Sequence, residues 1–173
     1  MNYKKSLIII SLFIVSILLV YFFLPNTGYL YGNNGKLIIN EVMSKNTNTY
    51  VDNNSEYSDW IELYNGNNFD INLSGYYLSD SEYETDLWKF PNIIIKSKSY
   101  LIIFASGKNR CDEDKCHTNF KLSSSGEVIT LTDKTGTIIS KISYKGSKND
   151  TSYGYNGRRY VYYEEGTPGK KNT

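Results

Sequence analysis

The stretch SEYSDWIELYNGNN, residues 55–68, is dense in carboxylates, amides and aromatic side chains. Two carboxylates that face each other could act as the acid and the base of a hydrolase. Asp59 and Glu62 would lie on opposite faces of a strand, because successive side chains alternate. Glu41 belongs to a second predicted strand and is the better neighbour for Glu62. A carboxylate-dependent hydrolase is therefore one alternative, but we expect both glutamates to bind lysines or backbone amides, and we assign no catalytic residue.

Oxygen-bearing side chains at alternate positions are typical of calcium loops, and residues 52–58 show this pattern. The helix–loop–helix calcium motif is not met, because Tyr57 stands at the position of its tight-turn glycine and Leu63 at that of its bidentate glutamate. A second acidic loop, residues 80–86, could add further oxygens. Acidic loops are usually only solvated, so we assign no cofactor and keep calcium as a weak candidate. Its candidate ligands are Asp52, Asn54, Glu56, Asp80 and Glu82.

Cys111 and Cys116 are the only cysteines and lie close together in the segment CDEDKC. A local pair in an exported chain predicts a disulfide, which persists in oxidising compartments. A metal site would need more soft ligands or imidazoles, and His117 is the only histidine. A bridged Cys116 cannot serve as a thiolate nucleophile beside this histidine. We expect His117 to be a surface residue that follows a loop.

An apolar run, residues 7–24, follows Lys4 and Lys5 at the start of the chain. At about 1.5 Å per helical residue the run would extend about 27 Å, close to the thickness of a hydrocarbon core. A cleaved signal peptide is the alternative, but its apolar region is usually shorter and is followed by small residues. We therefore predict one N-terminal transmembrane helix, a single-pass signal anchor. Residues 1–6 are then cytoplasmic, 7–24 lie in the cell membrane, 25–35 form a linker, and 36–172 form an extracellular domain.

The charge balance argues against a nucleic-acid partner. The chain has 19 basic and 18 acidic residues. Without Lys4 and Lys5, 17 basic residues remain against the 18 acidic ones, so the exported part is almost neutral. Nucleic-acid-binding domains carry a clear excess of basic residues.

The segments that must position these side chains have the length and composition of strands. Short runs rich in Ile, Tyr and Thr are bounded by Asn, Gly, Ser and Asp, and KTGT is typical of a hairpin turn. We predict an all-β antiparallel sandwich, with residues 107–119 as its longest loop without a strand. The predicted strands are 36–43, 59–64, 75–80, 100–106, 127–133 and 137–144, with shorter ones at 88–90, 93–95, 152–155 and 160–163.

Aromatic side chains near the C-terminus suggest a second kind of binding site. Exposed tyrosines could stack on sugars, which makes a glycan-binding module of the cell envelope an alternative function. Trp60 and Trp88 lie inside strand patterns, and we expect them in the core. The possible ligand face consists of Tyr153, Tyr155, Tyr160 and Tyr162.

Several phrases, taken in order, resemble the lamin tail domain family. They are LIINEVMSKN, DWIELYN, INLSGYYLSD, YLIIFASGKN, TNFKLSSSGEVITLTDKTGTII and TPGKKN, between residues 36 and 172. The resemblance implies an immunoglobulin-like β-sandwich. Bacterial members are typically exported and are regarded as non-catalytic. The resemblance therefore implies a binding or structural module at the cell surface, which holds an unidentified surface protein or glycan.

Two features depart from what the resemblance would suggest. The loop between Cys111 and Cys116 is an insertion that we do not associate with the general family pattern. Animal lamin tails follow a coiled-coil rod, whereas this chain has no heptads and has an apolar run instead. Filament assembly and chromatin binding are therefore not expected here.

Overall fold

The computed structural model describes residues 37–173, which form an all-β fold. The predicted cytoplasmic end, membrane anchor and linker, residues 1–35, lie outside the described residues. Within residues 37–173, no helix has the length and hydrophobicity needed to cross a membrane. The strands are β1 (Leu37–Met43), β2 (Trp60–Asn65), β3 (Ile71–Asn72), β4 (Tyr77–Ser79), β5 (Trp88–Lys89), β6 (Ile94–Ile95), β7 (Tyr100–Phe104), β8 (Arg110–Asp112), β9 (Lys115–His117), β10 (Gly126–Thr132), β11 (Ile138–Lys145), β12 (Ser152–Tyr155) and β13 (Tyr160–Tyr163).

The strands form a sandwich-like arrangement of sheets. A seven-stranded sheet has the order β13-β12-β1-β2-β7-β9-β8, and a four-stranded sheet has the order β11-β10-β4-β5. A separate two-stranded sheet pairs β3 with β6. All the strands predicted from the sequence are present. The turn at 133–137 is also confirmed, since the Asp133 amide donates to the Thr137 carbonyl.

The prediction for residues 107–119 was wrong. This segment contains the hairpin β8–β9, in which Cys111 and Cys116 lie directly opposite each other. Their Sγ atoms are bonded at 2.11 Å, so the predicted disulfide is formed and joins the two strands. Strand β9 also pairs in parallel with β7. The prediction of a purely antiparallel sandwich was therefore wrong at this pair of strands. The polar, charged sequence of this segment has no strand pattern, and its pairing depends on the neighbouring β7 and the cross-strand bond.

The main core lies between the two large sheets. It contains Ile39, Ile61 and Leu63 from the larger sheet and Leu131 and Ile142 from the smaller one, all with no exposed surface. A second cluster, Met43, Trp60 and Phe104, packs on the outer face of the larger sheet. Trp60 and Trp88 are both buried, as predicted.

Strands β1 and β2 are buried on both faces. All seven residues of β1 are buried, whereas β12 and the first part of β7, in the same sheet, alternate between buried and partly buried residues. An antiparallel sheet usually leaves one face to solvent, so something must cover the outer face of these two central strands. Residues 166–172 provide part of that cover, and they are held in place by hydrogen bonds to Glu41 and Glu62.

Candidate functional site

The two glutamates suspected from the sequence do face each other. Glu41 on β1 is the register partner of Glu62 on β2, and neither side chain has any exposed surface. The register of β1 against β2 shifts between Ile39 and Glu41, where Asn40 forms an irregularity. The predicted neighbourhood of the pair is therefore confirmed, on the outer face of the sheet beside Met43 and Trp60.

Glu41 is held by groups near the end of the chain. Its Oε1 accepts from the Ser152 hydroxyl at 2.5 Å and from the Thr167 amide at 3.0 Å. Its Oε2 accepts from the Thr167 hydroxyl at 2.9 Å. We call residues 166–172 the C-terminal strap, because this segment crosses β1 and β2 and covers both carboxylates.

Glu62 binds the same strap two residues further along the chain, at Gly169. Its Oε2 accepts from the Gly169 amide at 2.5 Å, and its Oε1 accepts from the Asn40 side-chain amide at 2.8 Å. The irregularity at Asn40 turns its side-chain amide toward the strap and away from the core.

Asn172 closes the network at the end of the strap. Its amide nitrogen donates to the carbonyls of Asn40 and Tyr155, each at 3.1 Å, and its Oδ1 accepts from the Asn40 amide at 3.0 Å. Gly154 makes room for it, since a Cβ at this position would collide with the Asn172 amide. The strap is therefore joined to β1, β2 and β12 by hydrogen bonds that are buried or partly buried.

The electrostatics of the pair follow from its burial. Burial raises the pKa of Glu62 to about 8, although the bonds from Gly169 and Asn40 lower it, and the charge of Glu41 raises it further. Burial also raises the pKa of Glu41, against its own hydrogen bonds. Two carboxylates that are covered and repel each other disfavour the doubly charged state.

The two glutamates hold the C-terminal strap against the sheet and do not form an accessible reactive centre. Both carboxylates are fully covered, so a substrate cannot reach either one without displacing the strap. The predicted backbone-amide partners are confirmed, at Thr167 and Gly169. The carboxyl oxygens are bonded by amides and hydroxyls, while Lys170 acts on Glu41 only through its charge.

The strap residues were not identified as partners of the glutamates from the sequence. TPGKKN appeared only as part of the family resemblance. The signal that could have suggested a role is the pair Asn40-Glu41, which interrupts the apolar run of β1. A carboxylate in a strand with no exposed face requires a donor from elsewhere in the chain.

The expectation that His117 lies on the surface was wrong. The side chain has no exposed surface and stacks against Phe104, with ring centroids 5.1 Å apart. Its Nδ1 lies 2.8 Å from the Ser106 hydroxyl, and its Nε2 lies 2.8 Å from Asn53 Oδ1. Burial lowers the pKa of His117, and the nearby Lys108 lowers it further. The pairing of β9 with β7 carries the histidine inward, which the loop-like sequence did not indicate.

The first three calcium candidates surround a lysine. The Lys108 ammonium lies 2.8 Å from Asp52 Oδ2, 2.9 Å from Glu56 Oε2 and 3.2 Å from Asn54 Oδ1. Burial alone would raise the pKa of Asp52, but the bonds from Lys108 and from the Glu56 and Asn54 amides hold it well below its usual value. The structure brings these three oxygens together, around a cation that the chain itself supplies.

The second acidic loop is arranged differently. Glu82 pairs with Lys141 at 2.8 Å, and Asp80 is half-buried with its pKa raised by burial. Within residues 37–173, no three His, Cys, Asp or Glu side chains are grouped so that they could hold a metal ion.

The suspected tyrosine face lies on the core side of the hairpin β12–β13. Tyr153 is paired with Tyr162 and Tyr155 with Tyr160 across the two strands, and Tyr153 and Tyr155 pack against the core. Tyr160 is only 8% exposed and its hydroxyl donates to the Ile39 carbonyl at 2.6 Å. Tyr160 therefore belongs to the core and cannot offer a ring to a ligand. Tyr162 is 45% exposed, but its hydroxyl bonds the backbone of β11 at Lys145.

Tyr160→Phe is expected to lower the free energy of unfolding by about 1–2 kcal/mol, because it leaves the buried Ile39 carbonyl without its donor. Urea denaturation followed by fluorescence measures the change. Tyr83→Phe is the control, since Tyr83 is 89% exposed and should change stability little. Equal stability of the two variants would contradict a structural role for the Tyr160 hydroxyl.

Comparison with known families gives one match. A family model described as Lamin Tail Domain matches residues 32–146, about two thirds of the chain. The matched region contains β1 to β11 and ends before β12, so the hairpin β12–β13 and the C-terminal strap lie outside it. No curated protein sequence matches the chain.

Proposed function

The chain belongs to the lamin tail domain family, and we propose that it is a single-pass membrane protein displaying this domain outside the cell. In this proposal the domain is a non-catalytic binding or structural module. It holds a protein or glycan partner at the surface, and residues 7–24 anchor it in the membrane.

The observation that carries the proposal is the bond between Cys111 and Cys116. Disulfides of this kind persist in oxidising compartments and are rare in the cytosol. An outward-facing domain agrees with the positions of Lys4 and Lys5 before the apolar run, since basic residues stay on the cytoplasmic side.

The non-catalytic assignment is supported by the covered glutamates. Glu41 and Glu62 are the pair that a hydrolase would use, and both are bound by the strap with no exposed surface. Lamin tail domains are a non-enzymatic family, which agrees with this arrangement.

The topology is tested with the full chain carrying a peptide tag after Thr173. We expect the protein to stay in the membrane fraction after a high-salt wash, and protease added to intact cells to remove the tag. The control is a cytoplasmic protein, which must stay intact in the same cells. A tag that is protected in intact cells but cleaved after lysis would refute the outward orientation.

The kind of partner is tested by sedimentation of the domain with isolated cell envelopes, before and after protease treatment of the envelopes. We expect binding that protease abolishes, because the tyrosine rings pack largely against the core. Binding that survives protease would favour the glycan alternative. In that case Tyr162→Ala, which changes the exposed ring, should weaken it while the fold survives.

A further inference from the structure

One end of the sandwich is defined by the first described residue, Leu37. Leu37 pairs with Asn65, and the Asn65 amide donates to the Ser99 carbonyl. The loop 66–70 after β2 and the turn 96–99 before β7 therefore lie together at this end. Lys98 joins them, because its ammonium donates to the Gly66 carbonyl. We call this the anchor-proximal end, since the chain enters it from residues 25–36.

Two further turns reach the same end. Strand β12 is antiparallel to β1, with Gly154 opposite Glu41, so the chain after Tyr155 continues toward Leu37 and turns at 156–159. The turn 133–137 lies beside Gly75, whose added Cβ would be 3.5 Å from the Lys134 side chain. Ile139, just after this turn, lines a cleft together with Leu37.

The turns at the anchor-proximal end carry more positive than negative charge. Asp70 pairs with Lys96 at 2.9 Å, and the Asp133 carboxylate is bonded by Thr135 and Thr137 within its own turn. The turn between β8 and β9 opens toward the same end, because β9 runs parallel to β7 with Cys116 opposite Ile103, and it adds the acidic residues Glu113 and Asp114. The exposed basic residues of the four turns are Lys96, Lys98, Lys134, Arg158 and Arg159.

An exposed aromatic ring lies among these charges. Phe69 is 62% exposed in the loop 66–70 and borders a cleft of about 390 Å³ with Leu37, Ile71 and Tyr76. A phenyl ring this exposed is unfavourable in water, and its burial against an apolar phase is favourable. An aromatic ring flanked by lysines and arginines is the combination that binds the interface of a membrane.

The loop after β4, at the opposite end of the sandwich, is acidic. Strand β4 runs from Tyr77, opposite Thr132, to Ser79, opposite Thr130, so the chain after it leads away from the 133–137 turn. The loop that follows contains Tyr83, 89% exposed, beside Glu82, Glu84 and Asp86. Anionic lipid would repel this acidic loop. Tyr83 resembles Phe69 in being an exposed aromatic residue in a loop, so the two differ mainly in the charge around them.

We propose that the anchor-proximal end binds the surface of the membrane, with Phe69 at the level of the lipid headgroups and the basic turns against anionic headgroups. This inference depends on the membrane anchor of the proposed function. The 12 residues between positions 24 and 37 can span at most about 40 Å, which keeps this end near the bilayer. Basic residues close to an anionic surface are attracted to it, and the attraction falls off within a Debye length.

The contact orients the domain. With the anchor-proximal end on the membrane, the acidic loop at 80–87 and the turn after β11 point away from the cell, where a partner can reach them. A domain on a loose tether would instead present every face equally.

The test uses the full chain in vesicles of anionic lipid whose acyl chains carry bromine near the headgroup, which quenches nearby tryptophan. Trp60 and Trp88 are buried and give the background emission. We expect F69W to lose most of its added emission in brominated vesicles, and Y83W to lose none. We also expect the double variant R158Q/R159Q in the F69W chain to recover emission, as should high salt. The matched charge control K45Q/K148Q, at the opposite end, should recover none.

Equal emission of F69W in brominated and plain vesicles would overturn the proposal, and so would equal quenching of F69W and Y83W. Docking of a protein partner on this end would give the first of these results. Flotation of the vesicles separates this failure from a failure of the anchor. A chain that does not float with vesicles refutes the anchored topology and the lipid contact together, whereas a chain that floats without quenching refutes only the contact.

Discussion

Glu62→Gln is expected to reduce the loss of stability that the wild-type protein shows between pH 5 and pH 8. The folded-state pKa of Glu62 is raised from 4.5 to about 8. The folded protein therefore holds a proton in this window that the unfolded chain releases, and the free energy of unfolding falls as pH rises. At about 1.4 kcal/mol per pH unit, the wild type loses on the order of 3 kcal/mol across this window through Glu62. The glutamine variant cannot ionise, so it is expected to be less stable than the wild type at pH 5, because one strap hydrogen bond is lost, and to equal or exceed it at pH 8.

Urea denaturation at several pH values measures this difference, and the comparison between the two chains reports on Glu62 together with its charge effect on the neighbouring Glu41. The pKa of His117 is lowered, so its contribution makes the free energy of unfolding rise with pH, opposite to the contribution of Glu62. This contribution is the same in both chains. Glu164→Gln is the matched control, since Glu164 is exposed and should leave the pH dependence of the wild type unchanged. Parallel stability curves for the wild type and Glu62→Gln would show that the buried carboxyl is ionised throughout.

Asn172→Ala is expected to lower the free energy of unfolding by about 2–4 kcal/mol, a large effect for a single polar side chain. The asparagine is 4% exposed and bonds the backbone of both β1 and β12. Its loss leaves buried groups on Asn40 and Tyr155 without partners and loosens the cover over the two glutamates. Thermal and urea denaturation measure the change.

Lys171→Ala tests whether the effect belongs to the network or to the chain end in general. Lys171 is the exposed neighbour of Asn172 in the same strap, so its substitution should change stability by only a few tenths of a kcal/mol. If both variants were equally stable, the strap would be dispensable for the fold.

The chain end therefore acts as part of the sandwich. Without the strap, Glu41 and Glu62 would face solvent on the outer side of β1 and β2, as polar residues of an antiparallel sheet usually do. With it, the two carboxylates become buried hydrogen-bond acceptors that attach a segment more than 100 positions away in sequence.

The sequence by itself determined the fold class, the principal strands and the pairing of the cysteines. Short runs rich in Ile and Tyr between Asn, Gly and Ser are local signals, and each sets the extent of one strand with little help from the rest of the chain. The position of Glu41 beside Glu62 was also predictable, because it requires only that two recognised strands be neighbours. The membrane anchor remains a prediction from the apolar run at residues 7–24.

Only the tertiary structure decided what surrounds these residues. The strap reaches Glu41 and Glu62 through contacts of long sequence separation, for which a local pattern holds no information. The hairpin β8–β9 has polar strands that form because β7 offers an edge, and this pairing buries His117. The register of β12 with β1 sets which side of the hairpin β12–β13 faces the core. Only the packing of the sheets decides that Tyr160 is buried while Tyr162, on the same side, is 45% exposed. Burial and hydrogen bonding across sheets are properties of the packed chain, and they assign roles that residue type and spacing leave open.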